Sequence, residues 1–127
     1  LDLGPRDLIE LLRGSRAGLK ALLMDQSEVA GLGNIYTDEI LFQARLDPHA
    51  PAAEITDAGV RRAHRQLHRV VDRAVRAGAQ PDEMPRGWLL HRRRSGADCP
   101  RGNGQIARFS LGGRHGFWCP ACQKGRT

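Results

Sequence analysis

The sequence is short of several things. It has no run of about eighteen apolar residues, the length needed to cross a bilayer, and its amino terminus shows no charged-then-apolar signal pattern. Nothing therefore points to a membrane or to export, and a soluble, cytoplasmic, monomeric protein is expected. No segment repeats at solenoid length and none is of low complexity, which sets aside arrays and disordered tracts. The 127 residues suffice for one ordinary domain, or a small domain with an appended module, and are too few for a large enzyme.

Acidic residues are almost missing from one part of the chain. Residues 1–85 hold eleven Lys/Arg against thirteen Asp/Glu, whereas residues 86–127 hold nine against one, Asp98. The formal charge of +6 and the pI near 10.2 therefore belong to the tail, and a polyanionic partner is implied. Such a tail could be a disordered arm, but Trp88, Ile106, Phe109, Leu111, Phe117 and Trp118 give it something to pack. A small folded basic module is expected.

Ahead of it the apolar spacing is helical. Pro5 opens a segment with Leu8, Leu11 and Leu12 on one face, ended near Gly14. A second segment, from about Ser15 to Met24, turns Leu19, Leu22 and Leu23 to a core. Lys20 falls off that face and is expected to reach solvent or an anion. Ile35, Ile40, Leu41 and Ala44 continue the pattern until Asp47-Pro48, since a residue before proline disfavours the α region. Thr56 caps the longest helix, whose Val60, Ala63, Leu67, Val70, Val71, Ala74 and Val75 recur at three and four, and Gly78 closes it. Its arginines are read as a solvated outer face. Pro81 to Gly87 is a linker, and Trp88-Leu89-Leu90 a short apolar anchor. Two strands, Ile106–Leu111 and His115–Cys119, are joined across Gly112-Gly113-Arg114 as a hairpin.

Between the second and third helices lies Gly31-Leu32-Gly33-Asn34. The two glycines can take positive φ, and Asn34 sits where an N-cap belongs. A helix start reached in this way presents unpaired N–H groups at the positive end of the dipole, which suits a phosphate; an ordinary tight turn is the competing reading.

The cysteines are too few and too unevenly placed for a disulfide framework. All three lie in the tail, and an odd number containing a C-P-A-C pair reads better as a metal site. Cys119 and Cys122 form one knuckle. Cys99 opens a second whose other position is Gly102, and a cysteine there would complete a zinc ribbon of strong spacing. Three of four ligands are present; His115, His91 or water could fill the fourth place, and an empty site is the remaining alternative.

Two stretches together resemble a known family. Leu19-Lys20-x-x-Leu23-Met24-Asp25-Gln26, followed by Val29-Ala30-Gly31-Leu32-Gly33-Asn34-Ile35-Tyr36-x-Asp38-Glu39-x-Leu41-Phe42, is similar to the helix-two-turns-helix segment of the formamidopyrimidine-DNA glycosylase/endonuclease VIII family. Gly113-Arg114-x-x-Phe117-Trp118-Cys119-Pro120-x-Cys122-Gln123 resembles that family's carboxy-terminal zinc-finger hairpin. The resemblance covers nearly the whole chain but only the second half of a family member. It implies a mainly α fold: a helix-two-turns-helix, four-helix domain over 1–80, a linker over 81–87, and a basic β-hairpin finger over 88–127 with an incomplete zinc site.

The resemblance also implies function. Lys20, Gly33, Asn34 and Arg114 would hold phosphates of double-stranded, damaged or abasic DNA in base-excision repair, and zinc would sit at Cys99, Cys119 and Cys122. The family's catalytic groups are an amino-terminal Pro amine and the neighbouring Glu. This chain opens Leu1-Asp2, and Pro5 is an amide, so the chain is expected to have no catalytic residues and to be inactive alone. Competing readings are a non-catalytic subunit of a split glycosylase and a degenerate finger serving protein–protein contact. No recognition helix carries base-reading side chains, so sequence-specific readout is not expected.

Overall fold

A computed structural model describes residues 3–29, 33–78 and 80–127, without the side chains of 27–29. Four helices precede a two-stranded hairpin: α1 (Pro5–Arg13), α2 (Leu19–Val29), α3 (Asn34–Ala44) and α4 (Asp57–Arg76). β1 (Ala107–Leu111) and β2 (Arg114–Trp118) follow, with a single helical turn, α5 (Pro120–Gln123), closing the chain. The expected mainly helical fold with a small hairpin module is what the chain adopts.

Each helix has a local cause. Pro5 occupies the first turn of α1, where its missing N–H is no loss, and the Asp7 carboxylate returns to accept from Gly4 N at 2.9 Å. Thr56 caps α4 as its sequence suggests, its Oγ1 accepting from Gly59 N at 2.9 Å. Helix α2 starts and ends several residues later than its apolar spacing suggests. Residues 15–18 are non-helical, with Ser15 Oγ accepting from Ala17 N.

The helices bury one core, in which Leu8, Leu12, Leu23, Ile40, Leu46, Val60, Leu67 and Met84 are among the members. A second, smaller core gathers Leu89, Ala97, Ile106 and the three cysteines around Phe42 of α3. The Trp88-Leu89-Leu90 anchor divides between them. Trp88 and Leu90 pack on the helical core, while Leu89 enters the finger core. Helix α3 thus serves both cores and is buried on nearly every side, from Thr37 to Phe42 and at Ala44. Ile35, at its exposed start, does not join the core.

The hairpin is antiparallel with Leu111 paired to Arg114. Its loop is therefore the two residues Gly112 and Gly113, at φ +59° and +78°, the double positive φ that a tight type I′ turn requires. Arg114 lies in the strand and not in the loop, one residue from its expected place. Gly116 faces α3 so closely that a Cβ there would stand 2.6 Å from the Phe109 ring and 2.9 Å from Asp38 Oδ1. Only glycine lets β2 approach the helix at this point.

Candidate nucleic-acid interface

The site begins with α2. Its Lys20 was expected to point outward, but it is only 6% exposed and its Nζ donates to Asp38 Oδ1 at 3.0 Å. The reason lies in the next helix. Asp38 is 1% exposed on α3 and needs compensation, which three donors provide: Lys20 Nζ, Arg93 Nη1 at 2.8 Å and the backbone N–H of Phe117 at 3.1 Å, the last two to Oδ2. Lys20 also stands 4.6 Å from the centre of the Phe109 ring, and Arg93 4.9 Å from that of Phe117. The anion that Lys20 meets is internal.

Asn34 also departs from its expected role. It is the first helical residue of α3, and Gly33, extended at φ −111°, is the N-cap. Gly33 does not use positive φ, and Gly31 lies outside the described residues. The Asn34 side-chain amide crosses to the finger, its Nδ2 donating to His115 O at 2.6 Å. Its Oδ1 is buried and finds no donor among the described residues.

Arg114 is the exposed member of the set. It is exposed at the hairpin tip and shares a cleft of about 520 Å³ with Lys20. Arg16, Gly18 and Met24 line one wall; His49, Leu111 and Gly112 line the other. The fold therefore brings Lys20 and Arg114, ninety-four positions apart in the chain, to one opening.

Asp38 and Glu39 fall within the family-like stretch, but the sequence alone assigns them no role. Glu39 is buried beside Asp38 and takes hydrogen bonds from Leu89 N at 2.9 Å, Leu90 N at 2.8 Å and Gln43 Nε2 at 2.9 Å. Burial pushes its carboxyl above the usual range, although these bonds and the Arg93 charge pull the other way. Gln123 was missed too: its Oε1 accepts from Cys119 N and its Nε2 donates to Leu46 O, tying α5 to the end of α3. Two consecutive acids directly before the apolar run Ile40-Leu41-Phe42 are the available signal.

The three cysteines converge. Their Sγ atoms lie within 4.8 Å of one another, all buried, with Cys99 and Cys122 hydrogen-bonded at 3.6 Å and not joined by a disulfide. Zinc–sulfur bonds of about 2.3 Å in a tetrahedron place sulfurs roughly 3.8 Å apart, so the donor set fits three corners. Gly102 contributes no fourth ligand and sits at φ +74° with open space where a Cβ would be. His91 bonds Met84 O and His115 bonds Ser110, so neither joins the cluster. Asn103 Nδ2 instead reaches Cys122 Sγ at 3.5 Å. Burial pushes the Cys119 thiol up to about 12. Burial acts on Cys122 as well, but bonds from Asn103, Arg101 and the other thiols outweigh it and draw that thiol down to about 7.

A helical domain fastened along α3 to a basic hairpin finger, with a cleft between them and a thiol cluster behind it, defines a helix-two-turns-helix protein. The sequence profile of the formamidopyrimidine-DNA glycosylase H2TH domain matches residues 2–84, and the chain belongs to that family. It is 39% identical over 144 aligned residues to the formamidopyrimidine-DNA glycosylase of Thermus thermophilus, covering 97% of this chain and 54% of the relative. With that of Rhodopseudomonas palustris it shares 38% over 134, covering 92% and 46%. The crystal structure of the Thermus thermophilus MutM (Fpg) protein superposes with a TM-score of 0.77 at 38% identity, over 98% of this chain and 51% of that one. A complex of the Lactococcus lactis Fpg with abasic-site DNA gives 0.78 at 26% identity, over 96% and 48%. The chain thus spans about half the length of the curated relatives it matches. Among the described residues no helix is long and apolar enough to cross a membrane.

Proposed function

We propose that this chain is the DNA-gripping part of a base-excision-repair glycosylase and abasic-site lyase, holding backbone phosphates around a damaged or abasic nucleotide. The observation that carries the reading is the shared cleft of Lys20 and Arg114 between α2 and the hairpin tip. Arg114 offers an exposed guanidinium to a phosphate. Lys20 presents only its edge, and Asp38 fixes its position. Gly33 and Asn34 add the positive end of α3 beside them. Family membership and the DNA complexes of related proteins support the same partner. Residues 1–80 would form the helical unit, 81–87 the linker and 88–127 the finger.

Phosphate contacts make binding depend on salt. With about three phosphates neutralised, affinity for a duplex carrying an abasic-site analogue should fall roughly fortyfold between 50 and 200 mM salt. Arg114→Ala should weaken binding and flatten the slope of log K against log salt by about 1. Affinity unchanged by salt would remove the phosphate reading.

We also infer that zinc occupies the thiol cluster and holds the finger's two knuckles together, supplying structure and no chemistry. Cys99, Cys119 and Cys122 would bind it as thiolates, with the fourth place unfilled by this chain at position 102. Gly102→Cys should therefore retain zinc longer against a chelator than the parent, despite the strain of positive φ. The check is metal content per chain before and after chelation, and a parent and variant that both bind no zinc would refute the assignment.

A further inference from the structure

On α4, far along the chain from the thiol cluster, three lone-pair donors converge. His64 and His68 stand one turn apart on the same helix face. Their Nε2 atoms are 3.1 Å from each other. Leu3 O, from the segment leading into α1, lies 2.7 Å from His64 Nε2 and 3.4 Å from His68 Nε2. The rings are tilted at 58° with centres 4.5 Å apart, so they do not stack face to face. They open onto a depression of about 460 Å³ beside Pro5.

One hydrogen accounts poorly for this triangle. If His64 Nε2 carries its proton toward Leu3 O, His68 Nε2 must take the Nδ1–H tautomer and share that same proton. If both Nε2 atoms were protonated, two N–H groups would face each other at 3.1 Å. A divalent cation satisfies all three donors at once. Zinc–nitrogen bonds of about 2.0–2.1 Å at 90–109° separate neighbouring ligand atoms by roughly 2.9–3.4 Å, which is close to the three separations found. Two histidines spaced i, i+4 on one helix face form a known zinc-binding pair.

We propose that His64, His68 and the Leu3 carbonyl form a second divalent-metal site, open to solvent on its remaining side and selective for borderline metals such as zinc. Two imidazoles exclude calcium and magnesium, which take oxygen ligands. Loading moves the shared proton from His64 Nε2 to its Nδ1, so that all three donors turn a lone pair to the ion. Arg61, Arg65 and Arg69 border the depression and oppose a cation, but all three are exposed and water and salt screen them. Bound metal would pin the entry of α1 to the middle of α4.

The test is zinc titration of the 127-residue chain with ¹⁵N-labelled histidine, read by imidazole resonances. The Nε2 signals of His64 and His68 should move together and saturate at one equivalent beyond any taken by the cysteines. His49, His91 and His115 should not move. His68→Ala, checked for native circular dichroism, should weaken this step at least tenfold; His68→Gln serves the same purpose if the alanine variant does not fold. The proposal fails if zinc leaves both rings unmoved at millimolar concentration, or if parent and variant respond alike. It fails equally if inorganic phosphate shifts the rings and zinc does not, for the arginines would then mark an anion site.

Discussion

Replacing Asp38 by Ala is expected to lower the stability of the folded chain by about 3–5 kcal/mol, because it removes the shared counter-charge of two cations and leaves Lys20 buried and uncompensated. The Phe117 N–H loses its acceptor in the same stroke. Since Lys20 belongs to α2, Asp38 to α3, Arg93 to the stretch that opens the finger and Phe117 to β2, one carboxylate joins four segments. Asp38→Asn should fall between the parent and the alanine variant, keeping one oxygen but no charge. Urea denaturation followed by circular dichroism measures both. A loss under about 1 kcal/mol for the alanine variant would show that water reaches Lys20 and that the network is not what holds the finger.

Glu39 gives the second large effect. Glu39→Ala leaves the buried amide of Leu89 and the half-buried amide of Leu90 without an acceptor, at about 1–3 kcal/mol each. Glu39→Gln should lose less, yet not nothing, because its amide NH₂ must face a donor where the carboxylate faced only donors. The pH response separates charge from contact. Burial raises the folded-state pKa of Glu39 above its ordinary 4.5, so the folded state holds that proton more tightly than the unfolded chain. The contribution is stabilising below 4.5 and is lost as pH rises from there through the raised value. Glu39→Gln should abolish that fall. Asp47 acts with the opposite sign in a lower range. Burial alone would raise it, but bonds from Gly125 N and from the His49 backbone and ring outweigh that and lower it below 3.8. Its stabilisation is present above 3.8 and disappears as pH falls through the lowered value.

Much of this fold could be read along the chain. Pro5, Thr56 and Gly78 mark helix limits by their own local chemistry, and paired glycines at 112 and 113 specify a turn with no help from elsewhere. Cysteine spacing likewise exposed the thiol cluster and its missing member. What stayed hidden depends on contacts between distant segments. Lys20 looks surface-directed when only α2 is considered, and its burial follows from an aspartate on another helix and a strand ninety positions away. Asn34 looks like a cap until His115 O supplies a better partner. Helix α3 shows no clear apolar stripe because it is enclosed on most sides, which makes periodicity a poor guide to which of its residues are inside. Histidines 64 and 68 were invisible for the same reason, their third companion being a carbonyl sixty-one residues upstream.

Asp38 and Glu39, adjacent on α3, point about 100° apart and so catch different parts of the finger segment, Asp38 at Arg93 and Phe117, Glu39 at Leu89 and Leu90. Closing the loop from α3 to Phe117 costs only about 1 kcal/mol more chain entropy than joining α3 to its neighbouring helices, because that cost grows with the logarithm of loop length. The contacts of the two acids, and not the length of the connection, hold the finger to α3. Two side chains make α3 a template as well as a contact, and they hold the basic tail in register.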